Sequence, residues 1–158
     1  MKKMAYVLCL FILLGFSGYY YTYQSDHRQA ISLSAYCNID FRGIRDSDGH
    51  LQGASLSLQD IRYSGSLPAS TVTITADDTS WDITAATTQL PPAYLGDTTS
   101  QNSFLQYKNY FLLDLPLELL TKIRTAREIQ VKFGYQNGQF IELPLNAPDL
   151  SYWKNQLQ

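Results

Sequence analysis

The chain has 158 residues, 45% of them apolar, 16% charged, and a formal net charge of −2. That is enough chain for one domain with a sizeable core, and too apolar a composition for disorder. It is not basic enough for a protein that tracks phosphate backbones, and two cysteines cannot make a disulfide-rich scaffold.

Residues 1–23 read MKKMAYVLCLFILLGFSGYYYTY. Lys2 and Lys3 precede an apolar run from Met4 to Gly18, and Tyr19, Tyr20, Tyr21 and Tyr23 follow it. A charged start before an apolar run is the grammar of a secretory signal or a signal anchor. Read as a helix, Met4 to Tyr23 spans roughly 30 Å, enough to cross a hydrocarbon core. In that reading Met4, Leu8, Leu10, Phe11, Leu13 and Leu14 lie in lipid, and Tyr19, Tyr20 and Tyr21 form an aromatic belt. The lysines stay in the cytoplasm and the rest of the chain is exported. The alternatives are a signal cleaved at Gly15-Phe16-Ser17 and a buried globular helix. Cys9 lies inside the apolar run and follows Tyr6-Val7-Leu8, so it does not read as a lipidation site. The segment holds seven of the 21 aromatic residues and two lysines. The remaining 135 residues therefore carry ten basic and 14 acidic groups, a net of −4.

Residues 24–29 read as a polar tether, and 30–158 as one β-rich domain. From Ile31 to Phe41 every second residue is apolar, which predicts a half-buried strand. Asp48-Gly49 supplies a hairpin turn. Leu51 to Tyr63 is the next strand. Ala54, Leu56 and Leu58 share a face, while Ile61 and Tyr63 fall in the opposite phase, so a bulge is expected near Gln59-Asp60. Ser70 to Ala76 and Ser80 to Ala85 make a hairpin across Asp77-Asp78-Thr79. Thr87 to Ser103, with Pro91-Pro92 and Gly96, reads as one long loop. Tyr110 to Leu115 reads as a buried strand. Pro116 to Ala126 reads as a short helix whose apolar face is Leu119, Leu120, Ile123 and Ala126. Ile129 to Tyr135 alternates as a strand, Asn137-Gly138 signals a type I′ turn, and Phe140 to Leu145 returns, with Pro144 marking an edge or an end. Pro148 to Leu157 is a short terminal helix. The expected fold is mostly β: a compact sandwich-like domain of about seven strands, with a short helix before a C-terminal hairpin and a hydrophobic helix in front.

The motifs that carry chemistry are missing or fail on spacing. Cys37 is in phase with apolar neighbours and reads as a buried free thiol, ahead of an intermolecular disulfide or a nucleophile. Asp46-Ser47-Asp48-Gly49 resembles part of a calcium loop, but the register puts Ile44 at the first ligand position, so a hairpin turn is expected. His27 and His50 read as surface residues; neither HExxH nor Gly-x-Ser-x-Gly occurs. Gly134 to Gly138 lies between strands and does not open a helix, so it is a turn and not a phosphate loop. Tyr94, Tyr107, Tyr110, Tyr135, Tyr152 and Trp153 are candidates for a sugar-stacking platform, though half of them alternate with apolar residues inside strands. Tyr94 stands apart, because it lies beside Pro91 and Pro92 in the long loop.

The expected function is a non-enzymatic protein-interaction module of the bacterial envelope. It is anchored in the inner membrane, needs no cofactor or metal, and offers sheet edges and the loop at Pro91, Pro92, Tyr94 and Leu95 to a protein partner. The second expectation is a module that binds a sugar or a cell-wall polymer, and the third is an enzyme with a non-contiguous site. A periplasmic or secreted protein follows if the first segment is cleaved.

Overall fold

A computed structural model of the chain describes residues 21–23, 28–95 and 104–158. The apolar run from Met4 to Tyr20, including Met4, Leu8, Leu10, Phe11, Leu13, Leu14, Tyr19 and Tyr20, lies outside the described residues. Among the described residues no helix is long and apolar enough to cross a membrane.

The described chain is mostly strand, arranged in two antiparallel sheets with few helices. The first sheet orders β3 (Asn38–Arg45), β4 (Leu51–Arg62), β9 (Phe104–Leu115) and β7 (Ala86–Gln89), and β8 (Ala93–Leu95) also pairs with β9. The second orders β11 (Phe140–Pro144), β10 (Ile129–Tyr135), β5 (Pro68–Ala76) and β6 (Thr79–Thr84). A two-stranded ribbon of β1 (Tyr21–Tyr23) and β2 (Arg28–Ala30) precedes them. The helices are α1 (Leu33–Tyr36), α2 (Leu117–Thr125) and α3 (Ala147–Gln156).

Alternation puts one face of each sheet into a shared core. Leu56 and Leu58 of β4, Phe111 and Leu113 of β9, Val72 and Ile74 of β5, and Val131 and Phe133 of β10 are all buried. Phe111 and Phe133 meet across the sheets with ring centroids 5.0 Å apart. Each such side chain contributes about 1.5–3 kcal/mol on burial. The chain passes between sheets at Ala85, whose N–H donates to the Ser70 carbonyl at 2.7 Å. Helix α2 buries Leu119, Leu120 and Ile123 as its spacing predicts. Helix α3 is capped by Asn146, whose side chain accepts from the Asp149 N–H at 2.8 Å. Trp153 of α3 stacks on Phe41 at 4.3 Å. The helix ends so close to β3 that a Cβ on Gly43 would lie 2.3 Å from the Gln156 carbonyl oxygen.

Six local expectations are corrected. Residues 33–36 form α1 and not a strand: Leu33 and Tyr36 are buried at i, i+3, while Ile31 is 52% exposed. Strand β4 runs without a phase change, and Asp60 and Arg62 continue the buried face of Ala54, Leu56 and Leu58. The loop expected over Thr87–Ser103 contains β7 and β8, both paired with β9. Strand β9 is one-sided, with Leu112 54% exposed between buried Phe111 and Leu113. Arg28 and Gln29 belong to β2 and not to a tether, and Tyr21 belongs to β1. Finally, the Asn137-Gly138 turn is not type I′, which needs positive φ at two successive residues, and the expected Asp48-Gly49 hairpin closes with the same kind of loop. Only Gly49 (φ 85) and Gly138 (φ 84) are positive there. Each closes a three-residue loop, with bonds Gly49 N–H to Asp46 O and Gly138 N–H to Tyr135 O.

Candidate functional site

The unbroken alternation of β4 drives two charged side chains inward. Asp60 and Arg62 are 0% and 1% exposed. A buried charge without partners is very costly, so the surrounding sequence must supply them. Tyr135, inward-facing at the end of β10, donates its hydroxyl to Asp60 Oδ2 at 2.5 Å. Arg28 of β2 donates from Nη2 to Asp60 Oδ1 at 2.9 Å. Arg62 Nε lies 3.9 Å from Asp60 Oδ2.

Each guanidinium also rests on a tyrosine. Arg28 stands 4.0 Å over the Tyr36 ring and donates to the Tyr36 hydroxyl (2.8 Å) and carbonyl (3.1 Å). Arg62 stands 4.1 Å over the Tyr135 ring. Such cation–π contacts gain strength where water is excluded. Strand register extends the polar row: Asp60 faces Asn109 of β9, and Asn109 faces Gln89 of β7. Gln89 Nε2 donates to Asn109 Oδ1 at 2.9 Å and to the Ser66 carbonyl at 3.1 Å. Asn109 Nδ2 is buried with no hydrogen-bond partner among the described residues.

Burial sets the protonation tendencies. It pushes the Tyr135 hydroxyl up, and the Asp60 charge pushes it further, so Tyr135 remains a donor. It raises Asp60 above the ordinary carboxylate range, against the pull of the Tyr135 hydrogen bond and the Arg28 and Arg62 charges. Cys37 is raised by burial and then by Asp60, which keeps the thiol protonated and a poor nucleophile. Beside the cluster is a concavity of about 150 Å³, lined by Arg28, Tyr36, Cys37, Asn38, Gln59 and Ile61. That is room for a few water molecules and well below a typical small-molecule site of roughly 300–1,000 Å³. Both Asp60 oxygens are engaged, so the cluster's evident work is fastening: it ties the β1–β2 ribbon to the end of β4.

The loop residues expected to meet a partner lie at that same end. Pro91 and Pro92 are exposed and join β7 to β8. Tyr94 is 56% exposed and sits opposite Leu105 of β9, and Leu95 pairs with Phe104 in the backbone register. Neighbouring segments adjoin them. The Leu90 N–H donates to the Lys108 carbonyl, and the Gln136 N–H to the Leu67 carbonyl, both at 2.9 Å. A Cβ on Gly65 would sit 3.0 Å from the Tyr107 ring. Tyr63, Leu67, Leu90, Tyr94 and Leu105 are all more than two-fifths exposed. None of residues 63–67, 90–94, 105–107 or 136–139 is charged.

The remaining candidates resolve into turns and faces. Asp46 Oδ1 accepts the Asp48 and His50 N–H groups, and Oδ2 accepts Gln52 Nε2, so its carboxylate closes a hairpin. Asp77, at φ 50, accepts the Arg127 and Glu128 N–H groups and pins the β5–β6 turn to the start of β10. Among the described residues no three of His, Cys, Asp or Glu are placed to hold a metal ion. On the outer face of the second sheet, Phe140, Lys132, Thr71, Thr73 and Gly134 line a groove of about 260 Å³. Lys132 Nζ lies 4.3 Å over the Phe140 ring and 3.4 Å from Glu142.

No protein-family model matches the chain. No curated protein and no solved structure matches it either.

Sequence reasoning missed Asp60, Arg62 and Asn109 as interior groups and the partly buried Arg28 as their partner. The available signal was phase: Asp60 and Arg62 follow Ala54, Leu56 and Leu58 at steps of two.

Proposed function

We propose that this chain is an exported protein-interaction module of the bacterial envelope, held in the inner membrane by the apolar segment that precedes β1. The Lys2-Lys3 start and the Met4–Gly18 run support the anchor. The observation that carries the interaction role is the open edge of the second sheet. β6 pairs with β5 on one side, and among the described residues no strand pairs with its other side. Edge strands are ordinarily blunted by charged side chains, Pro or a bulge. β6 reads Thr-Ser-Trp-Asp-Ile-Thr, with no Pro and no bulge, and its one charged residue, Asp82, accepts the Thr73 hydroxyl of the paired strand. An extended segment of a partner adds there by main-chain hydrogen bonds, beside Trp81, which is partly buried against the core. Photo-cross-linking in cells from positions 80 and 82 tests this. A discrete adduct is expected at both, and none at Asp114 on the other sheet. Equal or absent labelling at all three positions removes the edge as the contact.

The groove beside Phe140 supports a second reading, a module for a sugar or cell-wall polymer. Its Thr71 and Thr73 hydroxyls and exposed aromatic ring are the right kinds of group for a sugar face. Pull-down on cell-wall material with the parent and a Phe140→Ala variant separates the two readings. Retention that Phe140→Ala abolishes favours the polymer. The Arg28–Asp60–Tyr135 cluster is read as a fastening and not as an active site, because its groups are already committed to one another.

A further inference from the structure

We infer that the charge-poor end carrying Tyr63, Leu67, Leu90, Tyr94 and Leu105 rests on the lipid–water interface of the membrane that holds the N-terminal segment. This inference rests on the anchor reading above, and it assigns the Tyr94 surface to lipid and leaves the β6 edge for protein.

The first argument is where the apolar run meets the domain. That run ends at Gly18, and β1 begins at Tyr21. Three residues reach at most about 11 Å. β1 pairs with β2, and Arg28 of β2 is bonded to Asp60, two residues before the end of β4 and three before Tyr63. The domain is therefore fastened close to the anchor, at the end that carries the exposed apolar side chains.

The second argument is composition. Five of the large exposed apolar residues gather at this end, two of them tyrosines. Tyrosine favours the headgroup level, and aliphatic side chains gain roughly 25 cal/mol per Å² removed from water. The segments 63–67, 90–94, 105–107 and 136–139 contain no Asp, Glu, Lys or Arg; the basic Lys108 follows Tyr107, and the acidic Asp97 falls in the connection from Leu95 to Phe104, which lies outside the described residues. Charged residues crowd other connections, at Arg45 to Asp48, Asp77-Asp78 and Arg127-Glu128. A protein partner would meet the same apolar groups, but proximity to the anchor favours lipid.

The test uses the full-length chain, with Cys9→Ser, in nanodiscs of phosphatidylcholine and phosphatidylglycerol. A small fluorophore is attached through a new cysteine replacing Tyr63, Tyr94 or Leu105, or replacing Asp48 or Asp78 as controls. Unchanged emission from Trp81 and Trp153 confirms that each variant is folded. Nitroxide-bearing lipids are expected to quench the first three labels severalfold more than the controls. Equal quenching overturns the inference while leaving the anchor intact. Alkaline extraction of native membranes reads the anchor separately: release of the chain removes the anchor reading and this inference with it. Labels at 94 and 105 that are shielded from aqueous quencher in native membranes, yet not quenched by lipid in nanodiscs, identify a protein occupant and also overturn it.

Discussion

Replacing Tyr135 by Phe isolates one interaction in the buried cluster. The ring keeps its edge contacts with Phe111 and Phe133, at 6.2 and 6.5 Å between centroids, and its place 4.1 Å beneath Arg62. Only the hydroxyl donated to Asp60 Oδ2 disappears. A hydrogen bond to a charged group is worth about 1.5–3 kcal/mol, and a fully enclosed acceptor argues for the upper half of that range. Asp60 keeps Arg28 at 2.9 Å, so the carboxylate is weakened in its support but not stranded. The expected loss is about 2 kcal/mol. Asp60→Asn goes further, because it leaves Arg62, 1% exposed, without its anion, and about 3–5 kcal/mol is expected. The double variant should cost less than the sum of the two, by about 1–2 kcal/mol, since both changes remove the same bond. Urea titration of the full-length chain in detergent, followed by the fluorescence of Trp81 and Trp153, measures all three. A Tyr135→Phe loss within about 0.5 kcal/mol, the range of an ordinary surface substitution, would refute the assignment of energetic weight to this bond.

Three further outcomes are expected. Arg28→Ala removes the ribbon's hold on Asp60 and Tyr36, so thiol labelling of Cys37, slow in a Cys9→Ser parent, should accelerate about tenfold for each roughly 1.4 kcal/mol by which the change lowers the cost of lifting the ribbon; unchanged labelling would show that the ribbon does not guard the thiol. Gly43→Ala forces a Cβ against the Gln156 carbonyl, and should cost about 1–3 kcal/mol while shifting the Trp153 emission as α3 moves off Phe41. Asp77 is held below the ordinary carboxylate range by the Arg127 and Glu128 N–H groups, so its stabilisation is complete above about pH 4 and is lost as pH falls through the folded-state value; Asp77→Asn, which tolerates the positive φ, should flatten that part of the acid limb of the stability curve and leave the neutral region unchanged in shape.

Where local pattern and final packing agree, the fold was legible. Strand β10 alternates without exception, α2 has a single apolar face, and Pro144 stands at the end of an edge strand. The failures share a cause in long-range partners. Charged residues are almost never fully buried unless paired, so a reading of β4 in isolation turns Asp60 outward and invents a bulge. What overrides that rule is Arg28, 32 positions earlier, and Tyr135, 75 positions later. No local window contains either. Strands β7 and β8 failed differently: Ala-Thr-Thr-Gln has no apolar period to find, and its strand character comes from pairing with β9. Residues 31–36 alternate in sequence, yet three-residue spacing of Leu33 and Tyr36 fits the site between β2 and β3 better.

The low charge of the chain has a spatial explanation that its composition alone does not supply. On the outer sheet faces charged residues are still used, and in pairs: Arg42 with Asp40 at 2.6 Å, and Lys132 with Glu142 at 3.4 Å. Such exposed pairs add little stability, but they keep a sheet face wet. At the end of β4 Asp60 and Arg62 are turned inside, where they and the partly buried Arg28 neutralise one another against tyrosine rings. A charge left exposed at that end would have to be stripped of water against any apolar surface. Enclosing it with its counter-ions lets the sequence fasten the ribbon by electrostatics without placing a charge on the face that carries Tyr63, Tyr94 and Leu105. Leu105→Asp tests this division of labour directly. It should leave urea stability within about 0.5 kcal/mol, because the side chain is already 46% exposed, yet sharply reduce lipid quenching of a label at position 94. A variant that lost folding stability and kept its quenching would show that Leu105 serves the core and not the surface.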